Sequence, residues 1–464
     1  MTNTFSQVGG KKLYPLTPSQ QTMYFMIKYS LHKQVIQVPT SFSVGEKLDF
    51  RLLARALNIE IARNDCMRLR FVKENGDIKQ YFLPEYKLDG VRCFNFKDEA
   101  EMNAFLDGDA STPVRFLKDE TFRVYFFSCG DKNGVYLNVC HMVMDAMAVS
   151  VFYRDLFAVY RSLKDGAPMP APLAPFEEHI EKELAYLKSP RFAADAEATS
   201  AYHRRGGMPY YCGIHGPALL LGQRVKKKDP SLTVPSAYDP IHDRSRLYRA
   251  HIDGRTAAEM LDFCKRNAVA PETLIQCGFR LHASHINGDI NDTFMMVLCG
   301  RRATRKERNM GGCLAQPFMT RVKYTGGTTF KELLDECTAV RAELYRHKDF
   351  PYLSSRRIQQ DIYGLSSAQG PSFMMYTWLP VGTRTEGLTV PSEFNGYNLG
   401  RYVMPMYAFS FESGEDGGID IVYMYRTNLI SDANVRSLHA NAVRYITAGI
   451  AAPETTVAEL CSDR

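Results

Sequence analysis

The chain has 464 residues, 45% of them hydrophobic and 23% charged, with a formal charge of +6. These values exclude a disordered chain and a single small core, and they point to two lobes or domains. The mild positive charge lacks the clustered basicity of a nucleic-acid binder, and with no run of about 18 apolar residues a membrane span is not expected either. The eleven cysteines are an odd number without a Cys-x-x-Cys pair, a pattern that suits free thiols in a reducing cytoplasm. The amino terminus MTNTFSQVGGKKLYP has no apolar signal core, so a cytoplasmic, unprocessed protein is expected.

Thr17-Pro18-Ser19-Gln20 reads as a capped helix start, with Thr as cap, Pro at the first helical position and Gln at the third. A second helix is expected over 49–63, where Leu53, Ala56, Leu57 and Ile61 share one face, followed by a strand at 67–72. Residues 121–140 read as a hairpin whose arms flank 130–134, with Asn133-Gly134 as the turn signal. In the second arm Val135, Leu137 and Val139 alternate with Tyr136, Asn138 and Cys140. From Asp145 the period becomes helical, through Val149, Phe152, Tyr153, Leu156, Phe157 and Tyr160. The Pro- and Gly-rich stretch 163–176 is the strongest boundary signal and divides the chain into 1–170 and 171–464. A helix is expected near 175–187 and an irregular polar region over 189–245. Beyond it, helices are expected at 255–267, 271–286, 328–348 and 431–448, and strands at 293–299, 371–379, 403–412 and 418–426. This mixed order implies a layered α/β fold in each half.

His141-x-x-x-Asp145 sits where the strand gives way to the helix, a place from which a rigid scaffold presents a base. Spacing alone does not promote it, because His285-x-x-x-Asp289 repeats the pattern beside Asn287-Gly288, the chemistry of a helix end. Asp145 as an ordinary helix cap and His141 as a satisfied turn residue is the competing interpretation. His282-x-x-His285 lacks a third ligand, so no metal site is expected. The basic runs 224–228 and 301–306 are expected to be solvated faces, with a phosphopantetheine or coenzyme A phosphate as the minority reading. Phe373–Trp378 is expected to be a buried strand, or else the lining of an acyl tunnel through Tyr376 and Trp378.

The order of landmarks resembles the condensation domains of nonribosomal peptide synthetases and, more broadly, the chloramphenicol acetyltransferase-like superfamily. LYPLTPSQQTMYF is similar to the family's opening helix, and LDFRLLARALNIEIARNDCMRLRF to its first long helix and strand. LNVCHMVMDAMAVSVFYRDLFAVY resembles its His-His-x-x-x-Asp-Gly motif and the helix that follows. GGCLAQPFMTRV, ELYRHKDFPY and the terminal stretch from YAFSFE to AVRYI follow at corresponding places.

The resemblance implies an α/β fold of two chloramphenicol acetyltransferase-like αβ sandwich lobes forming a V with a central active-site tunnel. It implies that His141 is the base or positioning group for the attacking amine or hydroxyl. Asp145 would be structural, paired with Arg68. The first motif histidine is replaced by Cys140 and the terminal glycine by Ala146, whose backbone N–H would take the glycine's place toward the oxyanion. The family's Asn-Thr-x-x-x-Arg segment appears as Gln316-Pro317-x-x-x-Arg321, which puts Gln316 beside the implied tunnel.

The implied activity is that of a stand-alone acyltransferase. It would move an acyl or aminoacyl group from a carrier-protein phosphopantetheine or coenzyme A thioester to a small-molecule amine or alcohol. No bound cofactor is expected, because the thioester is already activated. An acyl or peptidyl carrier protein is the expected partner. The alternatives are a coenzyme A-dependent O- or N-acyltransferase and a degenerate module that binds a carrier without chemistry, the latter motivated by Cys140 and Ala146.

Overall fold

Local chemistry is realised closely at the amino end. In the computed structural model, which describes residues 6–8, 10–118, 120–288, 292–379, 392–413 and 416–462, Thr17 caps the helix Pro18–Tyr29 through a reciprocal capping box with Gln20. The helix Phe50–Arg63 buries Leu53, Ala56, Leu57 and Ile61, the face expected from their spacing, and packs on the helix Ala146–Asp165.

Contacts group the chain into two units. The first comprises Met1–Phe192, Gly300–Gln316 and Pro380–Arg401; the second comprises Ala193–Cys299, Pro317–Leu379 and Tyr402–Arg464. These units are discontinuous in sequence, unlike the single break expected at 170/171. The cause lies in long-range bonds: the segment around 302–315 fastens to the Asp145 turn, and the strand Ser392–Gly396 pairs antiparallel with Gln37–Val44.

The first unit carries a five-stranded sheet in the order Ser392–Gly396, Gln37–Val44, Lys132–Cys140, Phe122–Cys129, Arg92–Phe96. All neighbours are antiparallel except the last pair. Its second sheet has the order Ser6–Val8, Lys11–Pro15, Asp77–Phe82, Leu69–Glu74. The second unit has a six-stranded mixed sheet in the order Gln316–Lys323, Asp292–Cys299, Met375–Trp378, Met406–Glu412, Ile419–Arg426, Ser245–Ile252. The helix Pro271–Ile286, buried along most of its length, lies in its main core with Phe330–Arg346 and Asp432–Ala451.

Three expectations change. The hairpin turns at Gly130-Asp131, with Cys129 opposite Lys132 and Gly130 at φ +60. Asn133-Gly134 lies inside the strand, where a Cβ on Gly134 would stand 2.5 Å from the Phe42 carbonyl and 2.6 Å from the Phe127 ring. The glycine there serves close packing, not the turn. The strand Lys132–Cys140 is buried on both faces rather than one, because the face carrying Tyr136 is also covered, packing with Met102 and Leu106 of the helix Glu99–Ala110. The polar region 189–245 contains two helices, Pro190–Arg205 and Ala218–Lys227. The first buries Asp195, Thr199 and His203 beside Tyr202, so its inward face shows no apolar period.

Candidate active site

The strand Lys132–Cys140 ends by handing its hydrogen bonding to a tight turn. The His141 N–H donates to the Ile36 carbonyl at 2.8 Å, and the Val143 and Met144 N–H groups both donate back to the Cys140 carbonyl, at 2.8 and 3.3 Å. Asp145 then caps the helix Ala146–Asp165, accepting the Ala148 N–H at 2.8 Å. The turn therefore presents His141, partly exposed, beside a helix amino terminus, while Asp145 is buried beneath it.

Asp145 is saturated. Its Oδ1 accepts from Ala148 and from Arg302 Nη2 at 3.0 Å, and its Oδ2 accepts the Leu314 and Ala315 N–H groups at 2.8 and 3.0 Å. Burial pushes this carboxyl up, but the Arg302 guanidinium and the N–H donors outweigh it and hold the group below the ordinary carboxylate value. Arg302 is equally engaged: Nη1 donates to the Glu307 and Met310 carbonyls at 2.7 Å each, and Nη2 also donates to Gly312 at 3.0 Å.

The arginine assigned to Asp145 is thereby corrected. Arg68 Nη1 donates instead to the Leu83 and Pro84 carbonyls at 3.0 and 3.2 Å. Arg68 is only partly buried at the end of a short 3-10 turn. The solvated-face expectation fails for Arg301 and Arg302, whose side chains are 2% and 3% exposed and paired with Glu183 and Asp145. It holds for Lys226, Lys227 and Lys228, which are exposed.

Two further side chains hold the turn. Gln20 Nε2 donates to the Met142 carbonyl at 2.9 Å, and Ser19 Oγ donates to the Leu314 carbonyl at 3.0 Å. Sequence reasoning recognised the capped helix start at these residues but missed that it clasps the motif. No apolar period marks this face, because Ser19, Gln20 and Thr22 are buried on it beside Pro18, Met23 and Ile27.

Ala146 is the first helical residue and is not among the non-glycine residues of positive φ. Alanine therefore sits there without backbone strain, and its N–H belongs to the helix end that has no intrahelical partner. Cys140 is buried, and burial pushes its thiol up to about 12. The His141 ring is lowered from the ordinary 6.5 by burial, opposed by the Asp145 charge. Its Nδ1 lies 3.8 Å from the Sγ of Cys313, a buried residue that the sequence motifs do not single out.

The remaining residues lie elsewhere. Gln316 is buried at the head of the strand Gln316–Lys323. Tyr376 is wholly buried in the second unit's core, edge-on to Phe279 with ring centroids 5.3 Å apart, its hydroxyl on Ser410. That packing removes Tyr376 as a lining residue, because its ring meets protein on every side. Trp378 is partly buried against the same core. His282 is buried with Nε2 3.4 Å from the Ile214 carbonyl, and burial lowers it to about 4. Asp289 lies outside the described residues. Among the described residues no cluster of His, Cys, Asp and Glu is arranged to hold a metal ion, and no helix is long and apolar enough to cross a membrane.

The mixed α/β fold is of the chloramphenicol acetyltransferase-like type and is seen also in the first condensation domain of the calcium-dependent antibiotic synthetase in complex with a substrate analogue. That structure superposes with a TM-score of 0.79 at 16% identity, covering 96% of this chain and 99% of the other. A starter condensation domain of rhizomide synthetase in complex with C8-CoA gives 0.79 at 12% identity, covering 96% of each. The profile of the condensation domain matches residues 11–463, and the chain belongs to that family. Curated relatives include surfactin synthase subunit 1 of Bacillus subtilis (strain 168), 22% identical over 96% of this chain. Another is gramicidin S synthase 2 of Brevibacillus brevis, 28% identical over 39% of this chain. The matched stretches span 12% and 4% of the lengths of these two relatives. Condensation domains transfer acyl or aminoacyl groups held as thioesters on coenzyme A or on a carrier protein.

Proposed function

We propose that this chain is a condensation-type acyltransferase in which His141 takes the proton of an amine or alcohol as that group attacks an acyl thioester. The C–S bond breaks and a C–N or C–O bond forms; the proton on His141 passes to the departing thiolate, so product and free thiol balance the reaction. The observation that carries the reading is the unequal treatment of the two motif residues. Every acceptor position of Asp145 that the turn uses is bonded to protein, whereas His141 stays partly exposed, and burial favours the neutral ring a base requires. The Ala146 N–H stands at the helix end where a developing oxyanion would be received.

Carrier-bound phosphopantetheine is the proposed donor. The C8-CoA in a structural neighbour makes free coenzyme A thioesters the second donor to compare. The test is single-turnover transfer from a panel of acyl thioesters to amines and alcohols, read by intact mass, for the wild type and His141→Ala. Loss of transfer in the variant is expected; unchanged turnover removes His141 from the mechanism. Carrier binding with no transfer across the panel would make the chain a binding module, the reading that Cys140 motivates.

A further inference from the structure

The segment 310–315 runs against the His141 turn, and the backbone is fastened on both sides of Cys313. Before it, the Gly312 carbonyl accepts from Arg302 at 3.0 Å and from the Asp145 N–H at 3.4 Å. Gly312 itself has φ +88, and a Cβ there would strike the Phe176 ring. After it, the Leu314 and Ala315 N–H groups end on Asp145 and the Leu314 carbonyl on Ser19. A side chain between such anchors is placed closely, and its Sγ lies 3.8 Å from His141 Nδ1.

The Cys313 thiol therefore meets the Nδ1 edge of the ring, and Nε2 lies on the opposite edge. The thiol is no nucleophile here, since burial raises it well above its ordinary value and the thiolate is the reactive form.

We infer that Cys313 is a positioning residue for His141: its thiol packs on the Nδ1 edge, keeps that edge turned toward the protein, and leaves Nε2 as the nitrogen that accepts the proton. This rests on His141 acting as the base. In the Nδ1-protonated tautomer the N–H faces the thiol sulfur. Without the sulfur the ring can swing about its Cβ–Cγ bond and populate both tautomers.

The test uses the full chain labelled with ring-15N histidine, with His141→Gln identifying the His141 resonances. The wild type is expected to show a pyrrole-type shift at Nδ1 and a pyridine-type shift at Nε2. Cys313→Ala should move both toward averaged values, and Cys313→Ser, which keeps a polar atom beside Nδ1, should restore the wild-type pair. Cys313→Val serves as the apolar comparator if the alanine variant does not fold. In transfer assays the apolar variant should lose about 10-fold in kcat with KM within about 2-fold, and serine should recover most of it. Unchanged shifts in the apolar variant, or a serine variant indistinguishable from it, overturns the inference. The expected shifts in a chain that transfers no acyl group would leave the positioning intact and remove the acyltransferase reading instead.

Discussion

Replacing Arg302 with alanine would strip a buried carboxylate of its counter-charge. Arg302 and Asp145 side chains are 3% and 2% exposed, and breaking one partner of such a pair costs about 3–5 kcal/mol. The low end applies, because Asp145 keeps the N–H donors of Ala148, Leu314 and Ala315. At about 2–4 °C per kcal/mol for a unit of 150–250 residues, Tm should fall by roughly 6–12 °C. Arg68→Ala removes donors to two carbonyls from a partly exposed guanidinium, which is worth about 1 kcal/mol, or roughly 2–4 °C. The assay is thermal unfolding of the full chain by circular dichroism near neutral pH, with Asp145→Asn and the double variant completing a cycle. A coupling of about 2 kcal/mol is expected for Arg302 with Asp145 and near zero for Arg68 with Asp145. An equal loss from Arg68→Ala and Arg302→Ala, or a coupling confined to Arg68, would refute the assignment.

Ala146→Pro removes one backbone N–H at the first helical position, where proline is well tolerated. Tm should change little while kcat falls about 10²–10³-fold, and full activity in a folded variant would exclude this N–H from oxyanion binding. Because burial lowers His141, its base form persists as pH drops through 6.5. The acid limb of kcat/KM is therefore expected below 6.5, and a limb at or above that value in the pH–rate profile would contradict the desolvated site. Gly134→Ala should destabilise by about 1–3 kcal/mol, since its Cβ meets the Phe42 carbonyl and the Phe127 ring. Gly222→Ala, on the helix Ala218–Lys227 with nothing within 4 Å of its Cβ, should stabilise by about 0.5–1 kcal/mol. Denaturant melts of the two variants should move in opposite directions.

Much of the fold was legible because it is locally encoded. Thr17 and Asp145 cap their helices through bonds to residues three positions on, at 3.3 and 2.8 Å, so the residues that make each cap are written next to one another. The face formed by Leu53, Ala56, Leu57 and Ile61 is likewise periodic in sequence. The helix Pro190–Arg205 buries Asp195, Thr199 and His203; Thr199 bonds locally to the Asp195 carbonyl, whereas the desolvation of Asp195 and His203 is met by partners far along the chain: His347 Nδ1 lies 2.7 Å from Asp195 Oδ1, and Tyr363 3.2 Å from His203 Nδ1. A hydrophobic period does not register such a face.

The candidate site divides in the same way. His141, Asp145 and the helix they precede were readable from a change of period at one junction, since strand and helix each impose their own spacing on apolar residues. Which arginine holds Asp145 was not readable. Arg302 lies 157 residues away and Leu314 169, and bonds across such separations depend on how strands and loops are brought together. The same holds for Cys313, an ordinary residue in sequence that becomes a neighbour of His141 only because glycines and long-range hydrogen bonds fix the segment around it. The sequence by itself determined the motif, its helix and the family pattern. The tertiary structure decided the partners, because desolvated charges and orphaned N–H groups are satisfied by whichever residues the fold brings within reach.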